Sequence, residues 1–217
     1  MKQEVNEILV VLLGRVNEKS YLCDSAIGIY CLIGSYIYTK YMCKHQNIII
    51  TKTYQSPCGS VTLGSFGNRL CLCDWNVETH RDSVDRRLVR LLDAHMEEGV
   101  SDILRMAEIQ LNEYFSGQRR EFELPLIFTG TDFQKKVWTA LLDIPYGEKV
   151  SYVEIARRIG MPKAVRAVAN ATGANSISII VPCHRVIGSD GSLTGYGGGI
   201  EAKRHLLSLE NIHSALL

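Results

Sequence analysis

A cysteine between a proline and a histidine is the feature that most constrains this chain. It lies in the sequence Val-Pro-Cys-His-Arg-Val at 181–186, at the end of the apolar run 177–181. Pro182 fixes its own φ angle and biases Val181 toward an extended conformation. Cys183 is therefore predicted to lie at a rigid position where a buried strand gives way to a turn.

The residues after the cysteine favour a reactive thiol. The imidazole of His184 can accept the proton of the Cys183 thiol directly or through a water, and the guanidinium of Arg185 adds positive potential that favours the thiolate. A thiolate is the strongest nucleophile that a side chain supplies. Most unpaired cysteines are small buried hydrophobic residues, so that alternative stays open on the hexapeptide alone.

Two short helices joined by a tight turn are predicted before the cysteine. Ser151, three residues before a glutamate, fits a capping box that begins a helix over about 152–159. Gly160 suits the left-handed position after this helix. Pro162 suits the first position of a second helix, predicted over about 162–172. The arrangement is a helix-turn-helix.

The second predicted helix could enter a DNA groove. Small residues such as Ala167 make it slim, and Lys163, Arg166 and Asn170 line its polar side. Between 151 and 185 there are five basic residues and one acid, whereas the whole chain has 24 basic and 23 acidic residues. This local charge predicts DNA binding that weakens as salt rises. An ordinary amphipathic helix is the alternative.

Taken together, these segments resemble a known family. The hexapeptide, the sequence Leu-Thr-Gly-Tyr-Gly-Gly-Gly at 193–199 and the helix pattern at 201–207 are similar to the active-site region of O6-alkylguanine-DNA alkyltransferases of the bacterial type. The resemblance extends from about 48 to 211. It implies irreversible transfer of an alkyl group from O6-alkylguanine, and from O4-alkylthymine, in duplex DNA to Cys183. Each protein molecule would react once, on a nucleotide rotated out of the helix.

The resemblance also implies catalytic roles for particular residues. Glu210 would bond to His184 and complete a relay that runs from Cys183 through a water to the carboxylate. Tyr152 would lie beside the phosphate of the rotated nucleotide and donate its hydroxyl proton to the base. Arg166 would fill the gap that the base leaves in the duplex.

Further residues are expected at the DNA surface and the pocket by the same resemblance. Asn175 would span the turn between the second helix and the cysteine. Gly197 stands where some relatives carry a serine, so only backbone could bond the base there. The expected DNA-binding residues are Lys163, Arg166, Ala167 and Asn170, and the expected pocket and hinge residues are Asn175, Val181, Pro182, Arg185, Tyr196 and Gly197.

The part of the chain before the helix-turn-helix is predicted to be α/β. Alternating apolar residues at 61–63 and 70–72 flank Gly-Asn at 67–68, which favours a two-residue hairpin turn. Helices are predicted over about 84–96 and 101–115, with a serine cap at the start of the second. This order of elements is typical of a small α/β domain.

The resemblance implies two domains. An α/β N-terminal domain over 48–130 would have a ribonuclease H-like fold and act as a scaffold. The C-terminal domain over 131–211 would be mostly α-helical, with a winged-helix-like helix-turn-helix. Apolar spacing predicts that a helix over 132–142 begins this domain and that one over about 200–209 ends it, just before Glu210. A turn-rich segment at 188–192 favours a hairpin.

Residues 1–41 match neither domain. The uncharged stretch 25–39 is interrupted by glycines and is shorter than a membrane span, and its acidic lead-in is unlike a signal peptide. We therefore expect no membrane anchor, and we expect Met42 to be the initiator.

The chain has seven cysteines, an odd number that fits a reducing compartment. A cytoplasmic monomer is the prediction.

The cysteines do not indicate a metal site. Cys71 and Cys73, with Cys58 and His80 not far away in sequence, form no C-x-x-C or H-x-x-x-H pair, so neither structural zinc nor another cofactor is expected.

Two other functions compete with alkyl transfer. A non-catalytic lesion-binding module would use the same groove, but the related binding proteins replace the nucleophile. A cysteine hydrolase normally takes its general base from far along the chain.

Overall fold

The computed structural model describes residues 47–215. The predictions for residues 1–41 and for the start at Met42 lie outside this range. The described chain forms a mixed-sheet domain followed by a helical domain. Within residues 47–215 no helix is both long and apolar enough to cross a membrane.

The first domain is a four-stranded sheet covered by two helices. Its strands lie in the order β3-β2-β1-β4, with the first three antiparallel and β4 parallel to β1. The hairpin predicted around 67–68 is confirmed, since β2 and β3 pair on either side of it. The elements are β1 Ile48–Ser56, β2 Gly59–Phe66, β3 Arg69–Trp75, α1 Glu78–Leu92, β4 His95–Glu98 and α2 Asp102–Phe115.

The first helix and the strand after it differ from the sequence prediction. A helix over 84–96 was expected, but α1 begins at Glu78 and ends at Leu92. It ends there because Asp93 adopts a left-handed conformation with a φ of 47° and donates its backbone N–H to the carbonyl of Val89. The chain then pairs with β1 as β4, a strand too short and too polar to be recognised from the sequence.

The second domain is mostly helical. It shares one apolar core with the first domain, so the two pack as a unit. The helix predicted over 132–142 is confirmed, and Thr131 and Gln134 form the capping box that begins it. Its elements are α3 Asp132–Leu142, β5 Val150–Ser151, α4 Tyr152–Arg158, α5 Val165–Gly173, a 3₁₀ turn Cys183–Arg185, β6 Val186–Ile187 and α6 Gly199–Ala215.

The turn between α4 and α5 is longer than predicted. Gly160 has the expected left-handed conformation, with a φ of 74°. Pro162 is not the first residue of the second helix, because the N–H of Ala164 bonds the carbonyl of Met161 at 2.8 Å and closes a turn around it. Helix α5 therefore begins at Val165.

Three other local predictions were wrong. The apolar run 177–181 is a compact turn rather than a strand, and only Ile177 makes a strand-like bridge, to Cys73. The segment 188–192 closes on itself without a hairpin ladder, since β6 pairs with β5. Helix α6 continues past residue 209 to Ala215, and so Glu210, which is fully buried, lies inside the helix.

Candidate active site

Cys183 lies deep in the second domain. It begins the 3₁₀ turn that follows Pro182, and only 5% of its surface is exposed. Its sulfur accepts a hydrogen bond from the side-chain amide of Asn175 at 3.2 Å. The nucleophile predicted from the sequence is thus buried, and a neighbouring side chain fixes its position.

Asn175 links the end of α5 to the cysteine. Its amide nitrogen also donates to the backbone carbonyl of Val181 at 3.1 Å, and its oxygen accepts the N–H of Ile177 at 3.0 Å. One side chain therefore bridges both ends of the turn 175–181. The side chain of Asn175 therefore spans the segment between the end of α5 and Cys183.

The same turn contains a strained residue. Ile179 has a φ of 72°, a left-handed conformation that β-branched side chains rarely adopt. Such a backbone costs about 1–3 kcal/mol and persists only where surrounding contacts hold it. Ile179 is fully buried, and the bonds of Asn175 close the turn around it. The sequence gives no sign of this strain.

His184 and Glu210 form a buried pair. Nε2 of His184 lies 2.8 Å from Oε1 of Glu210, and neither side chain reaches solvent. Nδ1 makes no hydrogen bond to any described residue. Burial lowers the pKa of His184 more than Glu210 raises it. The imidazole is therefore neutral, with its proton on Nε2 facing the carboxylate and Nδ1 left as an acceptor.

Arg185 lies at the carboxylate rather than at the thiol. Its Nε donates to Oε2 of Glu210 at 2.9 Å, a second nitrogen donates to Oε1 at 2.9 Å, and a third donates to the carbonyl of Ile144 at 2.6 Å. The guanidinium was expected to add positive potential at the Cys183 thiol, but its hydrogen bonds go to the Glu210 carboxylate and the Ile144 carbonyl. Its position fixes Glu210 behind His184.

Two further donors complete the surroundings of Glu210. The hydroxyl of Tyr114, on α2 of the first domain, donates to Oε1 at 2.8 Å, and the N–H of Gly147 donates to Oε2 at 3.1 Å. Burial alone raises the pKa of Glu210, but the hydrogen bonds from His184 and Arg185, together with the positive charge of Arg185, outweigh it and hold this pKa well below its usual range. The carboxylate is therefore ionised and fully bonded.

Lys203 is a buried cation that the sequence analysis did not select. Its Nζ donates to the carbonyl of Val186 at 2.6 Å and to that of Thr194 at 2.9 Å. The side chain is fully buried, which lowers its pKa. These two bonds join the segment 193–199, the glycine-rich loop, to strand β6. The only signal in the sequence was its place in the Glu-Ala-Lys-Arg helix pattern, where a lysine is normally exposed.

Two cavities that share lining residues lie beside the sulfur. A chamber of about 10 Å³ is lined by Cys183, Asn175 and Tyr196 among others, and it shares Tyr196 and Gly197 with a wide cavity of about 500 Å³. Tyr152 and Asn170 line the wide cavity. A planar group the size of a base could enter this cavity and present a small substituent to the sulfur.

The residues expected to bind DNA are all exposed. Arg166, Ala167 and Asn170 lie on α5, whereas Lys163 was expected on this helix and lies in the turn before it. Asn170 lines the wide cavity. The opposite side of α5 is buried through Val168 and Ala171. The helix therefore presents its polar side beside the cavity that leads to the thiol.

The thiol is neutral in this environment. Burial raises the pKa of Cys183, and the hydrogen bond from Asn175 only partly offsets it. Burial also raises the pKa of Tyr152, so its hydroxyl remains a proton donor. The Cys183 thiol is therefore protonated near neutral pH rather than present as the thiolate.

No metal cluster occurs in the described range. Across residues 47–215 no three His, Cys, Asp or Glu side chains are grouped so that they could hold an ion. Cys71 and Cys73 are buried in β3, where burial raises the pKa of Cys71 to about 12.

Comparison with known proteins places the two domains in one class. The first domain matches the family model described as the 6-O-methylguanine DNA methyltransferase, ribonuclease-like domain, over residues 49–128. The second matches the model of the 6-O-methylguanine DNA methyltransferase, DNA binding domain, over residues 132–212. The chain belongs to the 6-O-methylguanine DNA methyltransferase family.

Individual relatives agree with this assignment. A methylated-DNA–protein-cysteine methyltransferase of Mycobacterium bovis is 50% identical over 159 residues, which is 73% of this chain and 90% of the relative. A constitutive enzyme of that name from Bacillus subtilis is 56% identical over 110 residues, 50% of this chain and 67% of the relative. Among solved structures, the crystal structure of Mycobacterium tuberculosis OGT in complex with DNA matches with a TM-score of 0.63 and 46% sequence identity. The match covers 75% of this chain and 93% of that chain.

Proposed function

We propose that this protein repairs DNA by moving the alkyl group of O6-alkylguanine irreversibly onto Cys183. The observation that carries the proposal is the placement of the Cys183 sulfur in a small chamber. That chamber adjoins a base-sized cavity beside the exposed face of α5. The relatives named as methylated-DNA–protein-cysteine methyltransferases support the reaction type.

The reaction would be a single displacement. The sulfur attacks the carbon bonded to O6, a sulfur–carbon bond forms, and the carbon–oxygen bond breaks. The thiol proton passes to Nδ1 of His184, whose charge Glu210 stabilises through Nε2. Tyr152 supplies the proton that guanine needs to leave as a neutral base, and the proton held by His184 then passes through solvent to restore the Tyr152 hydroxyl. The product is a thioether, which no group near the sulfur can readily cleave, so each molecule reacts once.

Access to the base requires the nucleotide to leave the duplex. A base stacked in DNA cannot present its O6 substituent to a sulfur that is 5% exposed. We infer that α4 and α5 act as a winged-helix-like helix-turn-helix, with Lys163 on phosphate and Arg166 filling the space of the rotated base. Ala167 and Asn170 would lie against the groove. The first domain would have the ribonuclease H-like fold, and the acting species would be a monomer on duplex DNA.

The remaining pocket residues act on the position of the base. Tyr196 and the backbone of Gly197 line both cavities, so they would contact the plane and the edge of the guanine. Val181 and Pro182 fix the backbone that leads into the 3₁₀ turn.

A binding-only function is less well supported, because the nucleophile and its His184–Glu210 pair are complete.

Replacing Arg166 by alanine is expected to slow transfer from duplex DNA by about tenfold or more, because a few kcal/mol of unstacking would go uncompensated. Transfer from a single-stranded methylated oligonucleotide should change much less. Single-turnover rates on the two substrates test this. Arg105→Ala, an exposed arginine of the first domain, is the charge-matched control. Equal slowing on both substrates would contradict the role given to Arg166.

The pH dependence of transfer tests the route of the proton. If His184 receives it, the single-turnover rate is flat above neutrality and falls when the imidazole becomes protonated. Burial lowers the pKa of His184, so the fall should begin below the usual histidine value of about 6.5. A rate that keeps rising about tenfold per pH unit up to about pH 9 would instead mean that the thiol loses its proton to solvent.

A further inference from the structure

A buried carboxylate of the first domain contacts the turn that precedes the nucleophile. Asp74, near the end of β3, has no exposed surface, and its Oδ1 accepts a hydrogen bond from the hydroxyl of Ser178 at 3.0 Å. Ser178 is itself buried and lines the small chamber together with Cys183. The two bonded residues are 104 positions apart. This contact therefore joins the first domain directly to the wall of the reaction site.

The bond lies beside the strained part of the turn. Ser178 immediately precedes Ile179, whose φ is 72°. A left-handed isoleucine would relax to an ordinary conformation unless its neighbours were fixed. The bond to Asp74 fixes Ser178, the residue just before Ile179. The bond from Asn175 to the carbonyl of Val181 fixes the turn on the far side of Ile179.

Other bonds from the first domain hold the start of the turn. The backbone N–H of Cys73 donates to the carbonyl of Ser176 at 2.9 Å, and the guanidinium of Arg87 donates to the carbonyl of Ala174 at 2.7 Å. These two bonds hold backbone carbonyls at the start of the turn and just before it, whereas Asp74 binds a side chain that lines the chamber.

We propose that Asp74 is a positioning residue for alkyl transfer, acting through Ser178 on the turn 175–181 that sets the place of the Cys183 sulfur. The inference rests on the transfer reaction proposed above. It gives the first domain a part in the reaction beyond that of a scaffold. Asp74 does not touch the substrate, and its effect passes through the turn.

The charge of Asp74 adds a second, measurable effect. The ionisable groups that face Cys183 come from several elements: Cys73 and Asp74 of β3, Tyr152 of α4, Lys203 of α6, Tyr196 of the glycine-rich loop and His184 next to it in the chain. Burial raises the pKa of Cys183 most, the bond from Asn175 lowers it, and Asp74 then raises it, with Lys203 and the hydroxyl of Ser178 opposing. A neutral residue at position 74 would therefore make the thiol more acidic.

Four variants separate these effects. Asp74→Ala and Ser178→Ala each remove the bond, the double variant removes both partners, and Asp74→Asn keeps an acceptor for Ser178 but removes the charge. Ser65→Ala is the matched control. Ser65 is a buried serine of the first domain, and its hydroxyl bonds that of Ser101 at 2.7 Å, away from the turn. The measurements are single-turnover transfer from a methylated duplex and the titration of the Cys183 thiol. The titration is followed by thiolate absorbance, as the difference from the matching Cys183→Ala protein.

Asp74→Ala and Ser178→Ala should each slow transfer by about tenfold to a hundredfold, because a small displacement of the nucleophile has effects of this size. The double variant should be no slower than the slower single variant, since both changes break the same bond. Asp74→Asn should keep most of the rate, with its Cys183 titration shifted to lower pH.

The proposal is overturned if Asp74→Ala and Ser178→Ala transfer as fast as Ser65→Ala, or if the slowing of the two is additive. An unchanged Cys183 titration in Asp74→Asn would remove the electrostatic part. If Asp74→Ala does not fold, Asp74→Asn and Ser178→Ala carry the test. Failure of the unmodified protein and of Ser65→Ala to transfer at all would instead refute the transfer function itself.

Discussion

Replacing Cys183 by alanine is expected to abolish alkyl transfer completely while binding to methylated duplex DNA persists. The sulfur is the sole thiol that lines the chamber among the described residues, and the exposed face of α5 lies outside that chamber. The loss of one small, 5% exposed side chain leaves the turn and its Asn175 bonds to the backbone in place. Transfer of labelled methyl groups and a DNA-binding titration are the two measurements.

Cys58→Ala is the control for this variant. Cys58 is a half-buried thiol of the first domain, and it contacts the hydroxyl of Ser56 rather than any group of the reaction site. It should transfer at the rate of the unmodified protein. If Cys183→Ala still acquires label from DNA, another residue is the acceptor, and the assignment of the nucleophile is wrong.

Replacing Glu210 by glutamine should have the second-largest effect. The carboxylate accepts bonds from His184, Arg185, Tyr114 and the backbone of Gly147, and it has no exposed surface. Removing its charge leaves a buried guanidinium without a counter-charge, which typically costs about 3–5 kcal/mol of unfolding free energy. Transfer should fall by about a hundredfold or more, because His184 loses the partner that orients it and stabilises its charge.

Denaturant unfolding across pH gives this prediction a second check. The pKa of Glu210 is held well below its usual range, so its contribution is complete above the unfolded-state value of about 4.3 and is lost as the pH falls further. The stability difference between the protein and Glu210→Gln should therefore shrink in acid. Glu108→Gln, which breaks a half-exposed pair with Lys52, should cost less than about 1 kcal/mol. Equal losses for the two variants would contradict the account.

Local signals in the sequence predicted the parts of the fold that local interactions stabilise. The helix over 132–142 and the hairpin at 67–68 were found because apolar spacing and turn residues determine them over a few positions. The left-handed Gly160 was found for the same reason. The prediction of a strand over 177–181 was wrong, since a short apolar run can be a buried turn as well as a strand, and contacts with distant residues decide between them.

The candidate site shows the same division. Cys183 and His184 were visible in one hexapeptide, whereas Glu210 has no local feature that separates it from a surface glutamate and was selected only through the family resemblance. Tyr114 and Asp74 were missed because they reach the site from the first domain, 96 and 104 positions from their partners. Neither the strain at Ile179 nor the burial of Lys203 can be read from residue type.

The most direct test of the central claim is the mass of the protein after reaction with an excess of duplex DNA containing O6-methylguanine. The account predicts a mass increase of one methyl group per molecule, located on the peptide that contains Cys183, with no further increase as more DNA is added. Repair of several equivalents of lesion by one protein molecule, or an unmodified Cys183 after repair, would contradict it.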